Sequence, residues 1–246
     1  MDSVARFVVT LQSKNDLYTM TRPNETETPE LVVMLTCNDF TVENAGEVFE
    51  QCKDSLARFW GMKELPLPLE TMKYLYARMR EHGKTTVLET VAYDEAGGLR
   101  GAHIAAECGC DILMGTKFHE SIAAFCKSHN IRYMPFVGTI HGRPSVLSGT
   151  PEEIVAEARE AVAHGAYGVD LLGYRYVGDP VALNTTLTES LAAPVCIAGS
   201  VDSYARLDEI KRAAPRLFTI GSAFFHHRFG DTLREQIDNV CRYMSS

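Results

Sequence analysis

The chain has no run of roughly 20 apolar residues, the length a membrane helix requires, so no transmembrane span is expected. It also lacks a basic tract. Its 24 lysines and arginines are scattered among 32 acidic residues, leaving a net charge of −8, which argues against a nucleic-acid partner. The start, "MDSVARFVVTLQSKND", has no basic stretch followed by an apolar core, as a secretory signal would, and predicts a cytoplasmic protein. Paired CxxC motifs are missing. The seven cysteines are odd in number, and Cys108 and Cys110 form a lone CxC, so neither a disulfide framework nor a zinc site is expected. His119, His141 and the His226-His227 pair are too scattered to predict a metal. No GxGxxG follows the first hydrophobic run, which removes the dinucleotide fingerprint. No cofactor is expected.

What the sequence does have is rhythm. Apolar runs occur at 31–39 (LVVMLTCND), 57–65 (ARFWGMKEL), 84–92 (KTTVLETVA), 110–117 (CDILMGTK), 131–139 (IRYMPFVGT), 167–175 (YGVDLLGYR), 193–200 (APVCIAGS) and 216–224 (RLFTIGSAF). Little polar alternation interrupts them, as in parallel strands buried on both faces. The intervening segments have helical periodicity. In "TVENAGEVFEQCKDSL", Val42, Ala45, Val48, Phe49 and Cys52 share a face. In "SGTPEEIVAEAREAVAHGA", Thr150 is placed to cap, Pro151 to start and Gly165 to end a helix, and the helix of "PLETMKYLYARMREHGK" is placed to close on Gly83. Eight strand–helix units in one chain of this length predict an α/β (βα)8 TIM barrel over 31–246. A doubly wound open sheet is the alternative. Residues 1–30 read as an N-terminal extension, with "ARFVVTLQ" as an extra strand or a cover for the barrel's bottom and "MTRPNETETPE" as a polar loop.

The last two runs finish alike, in Gly199-Ser200 and Gly221-Ser222. Barrel active sites lie at the strands' C-terminal ends, and the loops after strands seven and eight frequently hold a phosphate. Glycine allows an anion to approach backbone N–H groups, and serine adds a hydroxyl donor. The two endings read as halves of one phosphate cradle, with helix–strand packing as the ordinary account of the glycines. Here the chain resembles the phosphate-binding TIM barrels of the ribulose-phosphate-binding type, which include sugar-phosphate epimerases, hexulose-phosphate synthase and phosphoribosylanthranilate isomerase. The resemblance is specific over "APVCIAGSVDS…FTIGSAFF", residues 193–225, and elsewhere is one of strand–helix rhythm. Gly199-Ser200 stands where many members carry Gly-Gly. It implies a phosphorylated small molecule as partner, and leaves a homo-oligomer open.

Chemistry is expected at strand ends. These supply Asn38-Asp39, Lys63-Glu64, Glu89, Lys117, His141, Asp170, Tyr174 and Arg175. A charge inside an apolar strand is costly unless paired or used, which singles out Glu89 and Lys117. An acid on strand one, a glutamate on strand three and a lysine on strand four are similar in placement to transaldolases. That similarity implies Lys117 as Schiff-base nucleophile, Glu89 as proton shuttle and Asp39 as a second acid or base. Lys63 competes, in the cationic role known from decarboxylases and synthases of the ribulose-phosphate-binding group, although their strand-three Asp-x-Lys-x-x-Asp pattern is absent. Each residue also has an ordinary account: Lys117 as a solvated lysine, Glu89 in a structural ion pair, Asp39 as the cap of the next helix, Arg175 at the rim. Arg175, or His141 and Arg143 in the long loop "VGTIHGRPSVLSGTP", would meet an anionic substrate. The expected function is an aldolase-type carbon–carbon lyase acting on a phosphorylated sugar or keto acid. The alternatives are an isomerase or epimerase working by proton transfer, and a non-catalytic sensor like the glycerol-3-phosphate-responsive antiterminators on similar barrels.

Overall fold

The computed structural model describes residues 28–142 and 144–246. The strands predicted from the sequence are all present: β1 (Glu30–Met34), β2 (Phe59–Lys63), β3 (Thr85–Ala92), β4 (Ile112–Lys117), β5 (Arg132–Phe136), β6 (Val169–Leu171), β7 (Val195–Ile197) and β8 (Leu217–Ile220). Each pairs in parallel with its sequence neighbours, and β8 returns to β1 to close the barrel. The open-sheet alternative is thereby excluded. The extension read at the N-terminus falls, up to residue 27, outside the described residues.

Helices α1 (Ala45–Cys52), α2 (Leu69–Glu81), α3 (Glu95–Cys108), α4 (Glu120–Ser128), α5 (Pro151–Ala163), α6 (Pro180–Ser190) and α7 (Tyr204–Ala213) follow the first seven strands. The short α8 (Ser222–Phe225) and the long α9 (Leu233–Met244) follow β8. Local signals set their ends. Thr150 accepts from the Glu153 N–H while Glu153 reaches back to Thr150, a capping box just before Pro151. Thr232 and Glu235 repeat the device at α9. The apolar stripe read on α1 is buried at Ala45, Val48, Phe49 and Cys52. Asp39 is not the cap of that helix: Asn44 holds the position, and Asp39 belongs to a turn before it.

The core has two parts. The larger fills the layer between strands and helices, and includes Trp60, Val169 and Leu171. The smaller plugs the barrel interior with Val32, Met34, Phe59, Val87, Ile112, Met114, Met134, Cys196 and Leu217. Side chains alternate across a strand, so the inward positions above this plug carry the polar residues of the mouth. The loop after β5 is a small antiparallel ribbon, Thr139–His141 with Val146–Ser148. No helix among the described residues is long and apolar enough to cross a membrane.

Candidate active site

A cavity of about 260 Å³ opens at the C-terminal ends of the strands. Asp39, Lys63, Glu89 and Arg175 line one side, Gly199-Ser200 and Gly221-Ser222 another. A larger cavity, about 360 Å³, lies at the other end between Thr28–Leu31 and Arg58, Arg216 and Met244. Barrels place their chemistry at the C-terminal end, and only there do candidate residues from several strands converge.

Lys63 ends β2 and is 8% exposed. Its Nζ is 3.2 Å from Asp39 Oδ1 and 3.5 Å from Glu89 Oε1. The backbone beneath is fixed, because the Thr41 hydroxyl donates to the Lys63 carbonyl (2.8 Å) and accepts from its N–H (2.9 Å). Burial works against the Lys63 charge, but the Glu89 and Asp39 carboxylates outweigh it and hold the amine above its ordinary value. Lys63 is thus a cation at neutral pH.

Asp39 reaches the mouth by a tight turn. Asn38 and Asp39 both adopt positive φ, 51° and 67°, between the short pairing segments Thr36–Cys37 and Phe40–Thr41. Such two-residue turns demand left-handed backbone at both central positions, and Asn and Asp tolerate it best among residues with side chains. The Asn38 N–H donates to Ser222 Oγ at 3.1 Å, tying the turn to the start of α8. Arg175, in the 3₁₀ turn Gly173–Arg175 after β6, meets Asp39 with its two terminal guanidinium nitrogens at 3.2 and 3.5 Å. Burial raises the Asp39 carboxyl, yet Lys63 and Arg175 together hold it below the usual carboxylate range. A depressed acid of this kind contributes stability above its unfolded value. That contribution is lost as pH falls through the lower folded value. Acid unfolding of Asp39→Asn is therefore expected to depend less steeply on pH than wild type in the range below about pH 4, as read by circular dichroism.

The two Gly-Ser ends form one wall. Gly199 has φ +83°, and a Cβ there would sit 2.9 Å from Arg175 Cγ. At Gly221 a Cβ would fall 2.5 Å from Thr36 Oγ1 and 2.9 Å from the Thr36 carbonyl oxygen. Both glycines are thus required by close packing. Ser200 also has positive φ, 56°, and its carbonyl accepts from Arg206, which pairs in turn with Asp202. His226 and Arg228, just beyond α8, complete this side of the cavity. The "HHRFG" stretch that holds them was visible in the sequence, but nothing in its pattern aimed Arg228 at the mouth.

Lys117 and His141 are not brought into this cluster. The β4 register shifts between Met114 and Lys117. The Lys117 ammonium donates to the Gly138 carbonyl (2.8 Å) and to Glu157 of α5, whose other oxygen accepts from the Gly138 N–H (2.8 Å). That clasp fastens the loop after β5 to α5. His141 is exposed on the ribbon, paired with Val146, and Arg143 lies outside the described residues. The ribbon meets the site through Ser145 instead: its carbonyl accepts from Arg175 at 3.5 Å, and its hydroxyl shares a 2.8 Å hydrogen bond with Tyr93. Among the described residues no group of three or more metal-binding side chains converges.

No protein-family model and no curated protein matches the chain. Solved structures do match it. Orotidine 5'-phosphate decarboxylase from Pyrococcus horikoshii OT3 superposes with a TM-score of 0.66 at 15% identity, covering 88% of this chain and 99% of that one. N-(5'-phosphoribosyl)anthranilate isomerase from Pyrococcus furiosus gives 0.61 at 13% identity, over 88% and 98% of the two chains. The tryptophan synthase alpha chain from Legionella pneumophila subsp. pneumophila gives 0.63 at 11%, over 89% and 92%. At these identities the likeness is one of fold: over 88–89% of its length the chain shares its barrel with these solved proteins.

Proposed function

We propose that the chain is an enzyme that moves a proton on a small phosphorylated sugar or keto acid, as an isomerase or epimerase does. The observation that carries this reading is the placement of the Lys63 ammonium between two carboxylates in a cavity walled by Gly199-Ser200 and Gly221-Ser222. In the proposed reaction the phosphate lies against the two Gly-Ser ends, near Arg228. The Glu89 carboxylate takes a proton from the carbon beside the substrate carbonyl. The electron pair left behind moves onto the carbonyl oxygen, where Lys63 stabilises the negative charge. Glu89 then returns its proton to carbon and closes the step, while Asp39, held ionised between Lys63 and Arg175, keeps the ammonium in place. The names of two of the structural neighbours, a decarboxylase and an isomerase of phosphorylated compounds, support a phosphorylated substrate.

A Schiff-base lyase finds less support. It needs a neutral amine in the mouth, whereas Lys63 is held as a cation and the Lys117 amine is engaged by Glu157 and Gly138. Incubation with a panel of sugar phosphates in deuterated water is expected to label a carbon-bound position, and borohydride is expected to trap no adduct. Lys117→Met should keep that exchange while losing about 1 kcal/mol of stability in urea unfolding. An adduct on either lysine would return the case to the lyase. Tight binding without exchange across the panel would mark a sensor.

A further inference from the structure

Asp170 is the one buried aspartate among the described residues, 1% exposed, and it does not line the mouth cavity. On β6 it stands between Val169 and Leu171, which both pack into the layer between strands and helices. Strand alternation therefore turns Asp170 into the barrel interior. Its Cα partners are Phe136 on β5, which lines the cavity, and Cys196 on β7, which belongs to the interior plug. Asp170 thus lies between plug and mouth. Its Oδ1 has no hydrogen-bond partner.

The charged groups that act on it are Glu89 from β3 and Lys63 from β2, with the Cys196 thiol beside it on β7. Glu64 adjoins this set through Glu89, and Asp39 and Arg175 adjoin it through Lys63. The Lys63 ammonium is already divided between Asp39 and Glu89. A second interior carboxylate would be left without donors for one oxygen and next to a like charge. Taking up a proton is the less costly solution. Burial first, and then the Glu89 charge, push the Asp170 carboxyl well above the ordinary carboxylate range, against the pull of Lys63. Burial raises the Cys196 thiol as well, and Glu89 adds to it, so it stays neutral too.

We propose that Asp170 holds a proton throughout the neutral range and is a positioning residue of the mouth, a neutral interior carboxyl that leaves Glu89 as the charged member of the pair. The role toward Glu89 rests on the proton-transfer reading above; the proton on Asp170 does not.

The test starts with the wild-type protein carrying ¹³C-labelled aspartate carboxyls, titrated by NMR across the neutral range. One aspartate is expected to show a protonated carboxyl whose signal does not move, and Asp170→Asn is expected to lack it. Aspartates that are all ionised at neutral pH would overturn the proposal, whether or not the variant folds. The second readout is the pH profile of deuterium exchange. Deprotonating Asp170 at alkaline pH places a second negative charge next to Glu89, beneath the cavity in which charge develops on the substrate. Asp170→Asn, which keeps shape and neutrality, is expected to hold its plateau within several-fold of wild type and to move the alkaline limb upward. Coincident alkaline limbs would refute the positioning role. Exchange with no sugar phosphate would sink the proton-transfer reading and the role toward Glu89 with it, while the carboxyl signal still decides where the proton sits.

Discussion

Lys63→Met is expected to slow deuterium exchange about 10²–10³-fold, a loss of 2.7–4 kcal/mol of the magnitude seen when one preorganised electrostatic partner is removed. The substitution deletes the ammonium while the side chain keeps an unbranched, apolar stem in a buried position. The hydrogen bonds that hold this point of β2 to Thr41 run through the Lys63 backbone, so they survive. Asp39 keeps its Arg175 fork. Glu89 is left without its cation. Unchanged exchange in a folded variant would remove Lys63 from the chemistry.

Ser222→Asp is expected to abolish phosphate binding. Ser222 opens α8 at the wall where the phosphate is proposed to sit, and its Oγ accepts from the Asn38 N–H at 3.1 Å. An aspartate oxygen can accept that bond as well, so the turn that carries Asp39 has a means to persist. The added charge is the decisive change. Two unit charges about 4 Å apart near a protein surface interact by about 4 kcal/mol, roughly a thousandfold in affinity for each charge on the anion. Calorimetry with inorganic phosphate should show no measurable binding, whereas Ser222→Ala, which deletes a single donor, should weaken it by only several-fold. Equal affinity in wild type and Ser222→Asp would place the anion elsewhere.

The barrel was legible because its strands are buried on both faces. Runs such as "LVVML" and "APVCIAG" have few interpretations once helical segments separate them at a regular interval. The Gly-Ser ends were equally plain, and both fall on one cavity. Within the mouth, the sequence named Asp39, Lys63, Glu89 and Arg175, which the fold brings together from the turn after β1, from β2 and β3, and from the turn after β6. It could not rank the two lysines. Which way a lysine at the end of a strand extends depends on pleat and register, and β4 shifts register immediately before Lys117. The partner that engages Lys117, Glu157, is 40 residues away on α5, where a sequence pattern shows only an ordinary helical acid. Asp39 was ambiguous for a different reason. An acid a few residues before a helix has the look of a cap, and only the left-handed turn at Asn38-Asp39 diverts it to the mouth. Asp170 stood in view, but nothing in the pattern around it marks an oxygen that would be left without a partner.

The hydrogen bond from Asn38 to Ser222 joins residues 184 positions apart. It also sits where the barrel closes, since β1 pairs with β8 beside it. During synthesis, the turn that bears Asp39 leaves the ribosome long before the strand end that completes its cavity. Contacts of this span form late, after the entropy of closing a long loop has been overcome. A ligand held against Gly221-Ser222 would therefore act only on chains whose last strand has joined the first. It would stabilise the closed barrel by mass action and have no purchase on an unfinished one, so that substrate supply would favour complete molecules over partly folded ones during growth of the chain.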